Sequence, residues 1–139
     1  MNLGELFTKN VITAGPEETL ASVAQSMKEH NVGTVVIVDN QRPIGIVTDR
    51  DLALALGAEG KSPEDQVQEV MTRQVVAVPE TWGIFTATSC MRDCEVRRLP
   101  IVDKEDRLVG IVTMDDLIGC LGRELYNLAE GIKHEMLVK

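Results

Sequence analysis

Two stretches of the sequence set a hydroxyl and a carboxylate three residues apart, where one short apolar run gives way to another apolar pattern. They are Gly45-Ile46-Val47-Thr48-Asp49-Arg50-Asp51 and Gly110-Ile111-Val112-Thr113-Met114-Asp115-Asp116. In both, the aliphatic pair reads as a strand, and Leu52 or Leu117 opens a helix. The threonine then falls at the N-cap and the aspartate at the third helical position. There they lie beside free backbone N–H groups and the positive end of the helix dipole, which favour a phosphate. The carboxylate can also accept both hydroxyls of a ribose. The same pair fits a capping box, in which it only satisfies the orphan donors of its own helix. Both readings stand, and the recurrence of the whole pattern is what favours nucleotide chemistry.

The elements that must position these corners repeat as well. Leu3 to Phe7 leads through Thr8-Lys9-Asn10 to the β-branched run Val11-Ile12-Thr13, closed by Gly15-Pro16. Thr19 caps a helix whose Leu20, Val23, Ala24 and Met27 share one face, with His30-Asn31 and Gly33 at its end. Val35 to Val38 is an apolar strand, Asp39 to Pro43 a turn, and Ile44 to Val47 the returning strand. The helix from Asp49 ends at Gly57, and Ala58 to Pro63 reads as a linker. Val67, Val70 and Met71 then begin a short helix, and the order returns. Val70-Met71-Thr72 answers Leu6-Phe7-Thr8, Val75-Val76 answers Val11-Ile12, and Leu99 to Asp103 answers Val35 to Asp39. Ile84, Ala87, Met91 and Cys94 form the second repeat's buried stripe.

The expected fold is therefore α+β: two β-α-β-β-α repeats, residues 1–62 and 63–139, related by a pseudo-two-fold axis. A unit of about sixty residues buries too little surface to be stable alone. The two sheets should pack together and set the threonine–aspartate corners on opposite sides of a shared cleft.

Composition narrows what such a cleft could hold. A net charge of −8 and only four aromatic residues exclude a nucleic-acid surface, which needs basic groups and commonly aromatic faces. No apolar run is long enough for a membrane span and no leader-like segment opens the chain, so a cytoplasmic protein is expected. Three cysteines make a disulfide framework improbable. Cys90 and Cys94 share a helix face and read as small buried hydrophobes, not metal ligands. The two histidines, His30 and His134, sit away from any nucleophile, so no enzyme, metal or cofactor is expected.

The two glycine-aliphatic-threonine-aspartate signatures, the stretch Val96-Arg97-Arg98-Leu99-Pro100-Ile101-Val102-Asp103 and the Phe7-Thr8 and Met71-Thr72 pairs resemble the CBS domain, which occurs in tandem pairs called Bateman modules. The resemblance runs from about Leu3 to Leu121. It implies a stand-alone regulatory module that binds an adenosine-containing ligand between the repeats, with AMP, ADP or ATP foremost and S-adenosylmethionine or NAD(P) as alternatives. By position it assigns the ribose to Asp51 and Asp116, and ribose-phosphate contacts to Thr48 and Thr113. The adenine would lie among Ile12, Val32, Ile46, Val76, Val96 and Ile111, with Thr8 and Thr72 at its edge. Arg97 and Arg98, together with Arg50, are the implied phosphate partners, since the guanidinium fork suits phosphate oxygens. The repeats are not equal here: Gly33 and Thr34 stand where the second has Arg97 and Arg98, and Asp115 stands where the first has Arg50.

Beyond the repeat, Ile118, Leu121, Leu125, Leu128, Ile132 and Met136 form an apolar seam at alternating spacings of three and four. Gly119, Gly122 and Gly131 weaken it as a helix and argue against a long coiled coil. The seam can cover its own module or join two copies, and a homodimer is expected, as is an effector protein that the sequence does not name. A second function, a ligand-independent dimerisation or docking module, remains open beside the nucleotide sensor.

Overall fold

The computed structural model describes residues 1–7 and 10–138, the last three of these as helix backbone only. Thr8 therefore lies outside the described residues. The chain runs α1 (Leu3–Phe7), β1 (Thr13–Ala14), α2 (Leu20–His30), β2 (Thr34–Asp39), β3 (Arg42–Thr48) and α3 (Asp49–Gly57). A 3₁₀ turn, Val67–Glu69, precedes β4 (Val78–Pro79), α4 (Ile84–Cys94), β5 (Arg98–Val102), β6 (Leu108–Thr113) and α5 (Met114–Val138). Two three-stranded sheets result, ordered β1-β2-β3 and β4-β5-β6, each with a parallel pair followed by an antiparallel hairpin. The α+β fold with paired repeats is the one expected.

Local chemistry explains the elements. Thr19 caps α2 by accepting from the Ser22 N–H, and Asn31 closes it in the left-handed region at φ 53°. The turn of the first hairpin is tighter than the expected Asp39–Pro43: the strands run on through Asp39 and Arg42, and only Asn40 and Gln41 turn, both with positive φ. The short helix expected to open the second repeat is a three-residue 3₁₀ turn, Val67–Glu69. The main departure lies in α5. Gly119, Gly122 and Gly131 do not interrupt it, and it continues for 25 residues. Residues 121–135 are all exposed, so the seam does not fold back over its own module. Cys94 is also exposed, against expectation, because it ends α4 just before the chain turns away at Glu95 with φ 55°.

One face of each sheet carries a helical core. Val35, Ile37 and Val47 pack with Leu20, Val23, Met27, Leu52 and Ala55 in the first, and Leu99, Ile101 and Val112 with Ala87, Met91 and Leu117 in the second. Each core also takes a wall from the other half of the chain. Leu3 and Phe7 of α1 are buried in the second core, while Val67 and Met71 are buried in the first. Backbone bonds fix both exchanges. Leu3 N–H donates to Trp82 O at 2.8 Å and Gly4 N–H to Glu80 O at 2.9 Å, and Val67 N–H donates to Glu18 O at 2.8 Å. Ile46 and Thr72 exchange bonds of 3.1 and 2.9 Å.

The signature glycine has its reason in this exchange. A Cβ on Gly45 would run into Met71 Sδ and lie 2.8 Å from its Cγ, so the bare glycine backbone gives the exchanged methionine its place on β3. Gly45→Ala should destabilise the fold by about 1–3 kcal/mol through overpacking. Combined with Met71→Ala, it should cost less than the two single changes summed, as urea unfolding of the four-member cycle would show. Strict additivity would mean the two residues do not share that space.

Candidate functional site

At both corners the threonine and aspartate bond reciprocally. Thr48 N–H donates to Asp51 Oδ2 at 2.8 Å, and Asp51 N–H donates to Thr48 Oγ1 at 3.2 Å. In the second repeat the matching distances are both 3.0 Å. The capping box is therefore built twice. It holds each carboxylate at the mouth of a helix N-terminus, half-buried and fixed in direction. The cap is made through Oδ2 of both Asp51 and Asp116.

The strand faces turned away from the helical cores meet each other. Val36 and Pro100 are buried there although neither belongs to a helical core, and Leu108 N–H donates across to Gln41 O at 2.8 Å. Along this junction a cavity of about 300 Å³ opens at the second corner. It is lined by Ile12, Val32 and Thr34 of one repeat and Ile111, Thr113 and Asp116 of the other, with Asn10, Val11 and Gly33. A volume near 300 Å³ is at the small end of ligand pockets. A second hollow of about 200 Å³ adjoins it, sharing Gly33, Thr34 and Thr113 and adding Arg97, Arg98, Met114 and Asp115. Apolar walls, a fixed carboxylate and a basic annex thus lie in sequence along one cleft.

A model of the CBS domain matches residues 3–58 and again 67–123. The chain belongs to the CBS domain family. It is 41% identical over 120 residues to protein MK0525 of Methanopyrus kandleri, in a match spanning 85% of this chain and 61% of that protein. It is 38% identical over 113 residues to the CBS domain-containing protein YhcV of Bacillus subtilis, spanning 81% of this chain and 80% of that one. Among solved structures, the CBS domain pair of protein MJ0100, in complex with 5′-methylthioadenosine and S-adenosyl-L-methionine, superposes with a TM-score of 0.77 at 28% identity. That match covers 89% of this chain and 98% of the other.

Within this CBS pair, the structure brings together Ile12, Val32, Ile111, Thr113 and Asp116 around the larger cavity, and Arg97 and Arg98 around its annex. Thr48 and Asp51 line neither cavity. Near them, Ile46 is bridged to the exposed Thr72, and Arg50 is exposed on the first turn of α3. Val76 and Val96 are half-buried against the second core. Asn10, Val11, Thr34, Met114 and Asp115 line the cleft without having been singled out as contacts. The signal for Thr34 was its match to Arg98, and for Asn10 and Val11 their place beside Ile12. Among the described residues, no group of three or more His, Cys, Asp or Glu side chains could hold a metal ion. His30 Nδ1 lies 2.9 Å from Ser26 O, in a local helix-end contact.

In the absence of any ligand, Thr113→Ala should cost on the order of 1 kcal/mol of stability through loss of the cap, and Thr113→Ser much less. Thermal unfolding of the two variants checks this. An equal loss in both would mean that the methyl group, not the hydroxyl, is what matters.

Proposed function

We propose that this CBS pair is a regulatory module that binds an adenosine-containing ligand between its repeats, adenine nucleotides foremost, and transmits occupancy through the angle of its paired sheets. The observation that carries this reading is the Thr113–Asp116 corner, which opens onto a cavity walled by aliphatic side chains of both repeats. In this reading Asp116 takes the ribose hydroxyls, Thr113 lies at the ribose-phosphate junction, Ile12, Val32 and Ile111 enclose the adenine, and Arg97 and Arg98 meet the phosphate. Asp51, Thr48 and Arg50 serve the equivalent site of the first repeat, with Ile46, Val76, Val96 and Thr72 about its base. The adenosine ligands bound by the related pair of MJ0100 support the ligand class. The role is regulatory binding and not catalysis.

A charge-assisted hydrogen bond contributes roughly 1.5–3 kcal/mol. Asp116→Ala should therefore weaken AMP by about ten- to a hundred-fold, while stability falls by only about 1 kcal/mol. Calorimetric titration of AMP into Asp116→Ala, Asp51→Ala and the double variant tests this. Unchanged affinity in a folded double variant would leave the corners as caps alone.

The exposed seam of α5 favours a role in assembly beside ligand binding. Ile118, Leu125, Leu128 and Ile132 each expose 60% or more of their surface, at the a and d spacing of a two-helix seam. A homodimer joined through α5 follows, in the cytoplasm, with an effector protein as its reader. Sedimentation equilibrium should show a dimer that Leu125→Asp converts to monomer. A monomer in the unmodified protein at all concentrations would rule the seam out as a dimer contact.

A further inference from the structure

The annex that holds Arg97 and Arg98 also holds a carboxylate, at a position where the two repeats carry opposite charge. Asp115 lies directly before the ribose-facing Asp116, and its counterpart in the first repeat is Arg50. Asp115 Oδ1 is 3.8 Å from the Arg97 guanidinium, so one of the two cations is already paired. Arg98 has no ion pair among the described residues. A further carboxylate, that of Asp49, lies against the Gly33 wall, with Oδ2 3.1 Å from where a Cβ on Gly33 would be. Among the described residues, Arg97, Arg98 and Asp115 are the charged groups that line the annex, and Asp116 lines the adjoining cavity. A single phosphate can lie on Arg98 and leave the Arg97–Asp115 pair intact. A second and third phosphate must extend past Asp115, with like charge against like charge and only one arginine to share.

We propose that Asp115 is a specificity-determining residue that closes the second pocket to nucleoside polyphosphates, so that it takes an adenosine whose 5′ substituent is no more anionic than a monophosphate. This rests on the adenosine reading of the pocket and adds to it the charge of the ligand. The exposure of the Asp115 side chain, 86%, makes the residue replaceable without loss of packing.

The test is calorimetric titration of the full chain carrying Asp51→Ala, which silences the first corner, with 5′-methylthioadenosine, AMP and ATP in turn. The expected order is AMP and 5′-methylthioadenosine each binding about tenfold or more tighter than ATP. Asp115→Arg in the same background should raise ATP affinity about ten- to a hundred-fold, as one added charged contact would, and leave 5′-methylthioadenosine within about twofold. The gain for ATP should shrink as salt rises, since the group is exposed. Asp115→Asn should give an intermediate gain. ATP binding as tightly as AMP before Asp115 is changed, or Asp115 variants that shift all three ligands alike, would overturn the assignment. Binding of none of the three would remove the adenosine reading itself and this assignment with it.

Discussion

Each half of the molecule lacks one wall of its own core, and the other half supplies it. Leu3 and Phe7 close the second core, and Val67 and Met71 close the first. Fully burying a large aliphatic side chain contributes about 1.5–3 kcal/mol, which is a large fraction of the total stability of a domain this size. The exchange therefore ties the repeats into one unit and sets how their sheets face each other. The cleft follows from it, because strand faces that carry no helices have only each other to pack against.

That constraint explains why the threonine–aspartate corners are where they are. A strand that ends at Thr48 or Thr113 must turn into a helix at the rim of the sheet, and the orphan N–H groups of that helix need acceptors. The threonine–aspartate pair provides them. The same bonds orient the carboxylate, so the helix cap and the fixed direction of the acid group come from one residue pair. Between the repeats the rim of one sheet faces the aliphatic edge of the other, as Ile12 and Val32 face Thr113 and Asp116. Symmetry in the backbone does not extend to charge. The exchange of Arg50 for Asp115, and of Gly33 and Thr34 for Arg97 and Arg98, makes two chemically different corners from one repeated design.

Much of this was legible in the sequence because it rests on local periodicity. The stripe of Leu20, Val23 and Met27, the apolar runs of β2 and β5 and the doubled signature each declare themselves within a few residues. The crossed walls did not, since nothing near Phe7 or Met71 says which core it enters; that is a contact over long sequence separation. Cys94 misled because helical spacing predicts a face, not what lies beneath the last turn. The glycines of α5 misled in the other direction: each costs about 1 kcal/mol against alanine, yet none disrupts the helix. Asp115 was visible as an asymmetry, but its pairing with Arg97 required the fold.

The claim on which the rest converges is that adenosine is held at the Thr113–Asp116 corner between the repeats. The most direct measurement is an amide NMR titration of the isotopically labelled protein with AMP. A ligand at that corner predicts saturable shifts of the Thr113, Met114 and Asp116 amides together with those of Val32 and Gly33 on the facing repeat, all fitting one dissociation constant, while amides on the outer face of α2 stay in place. Shifts confined to other parts of the surface, or none at millimolar AMP, would contradict it.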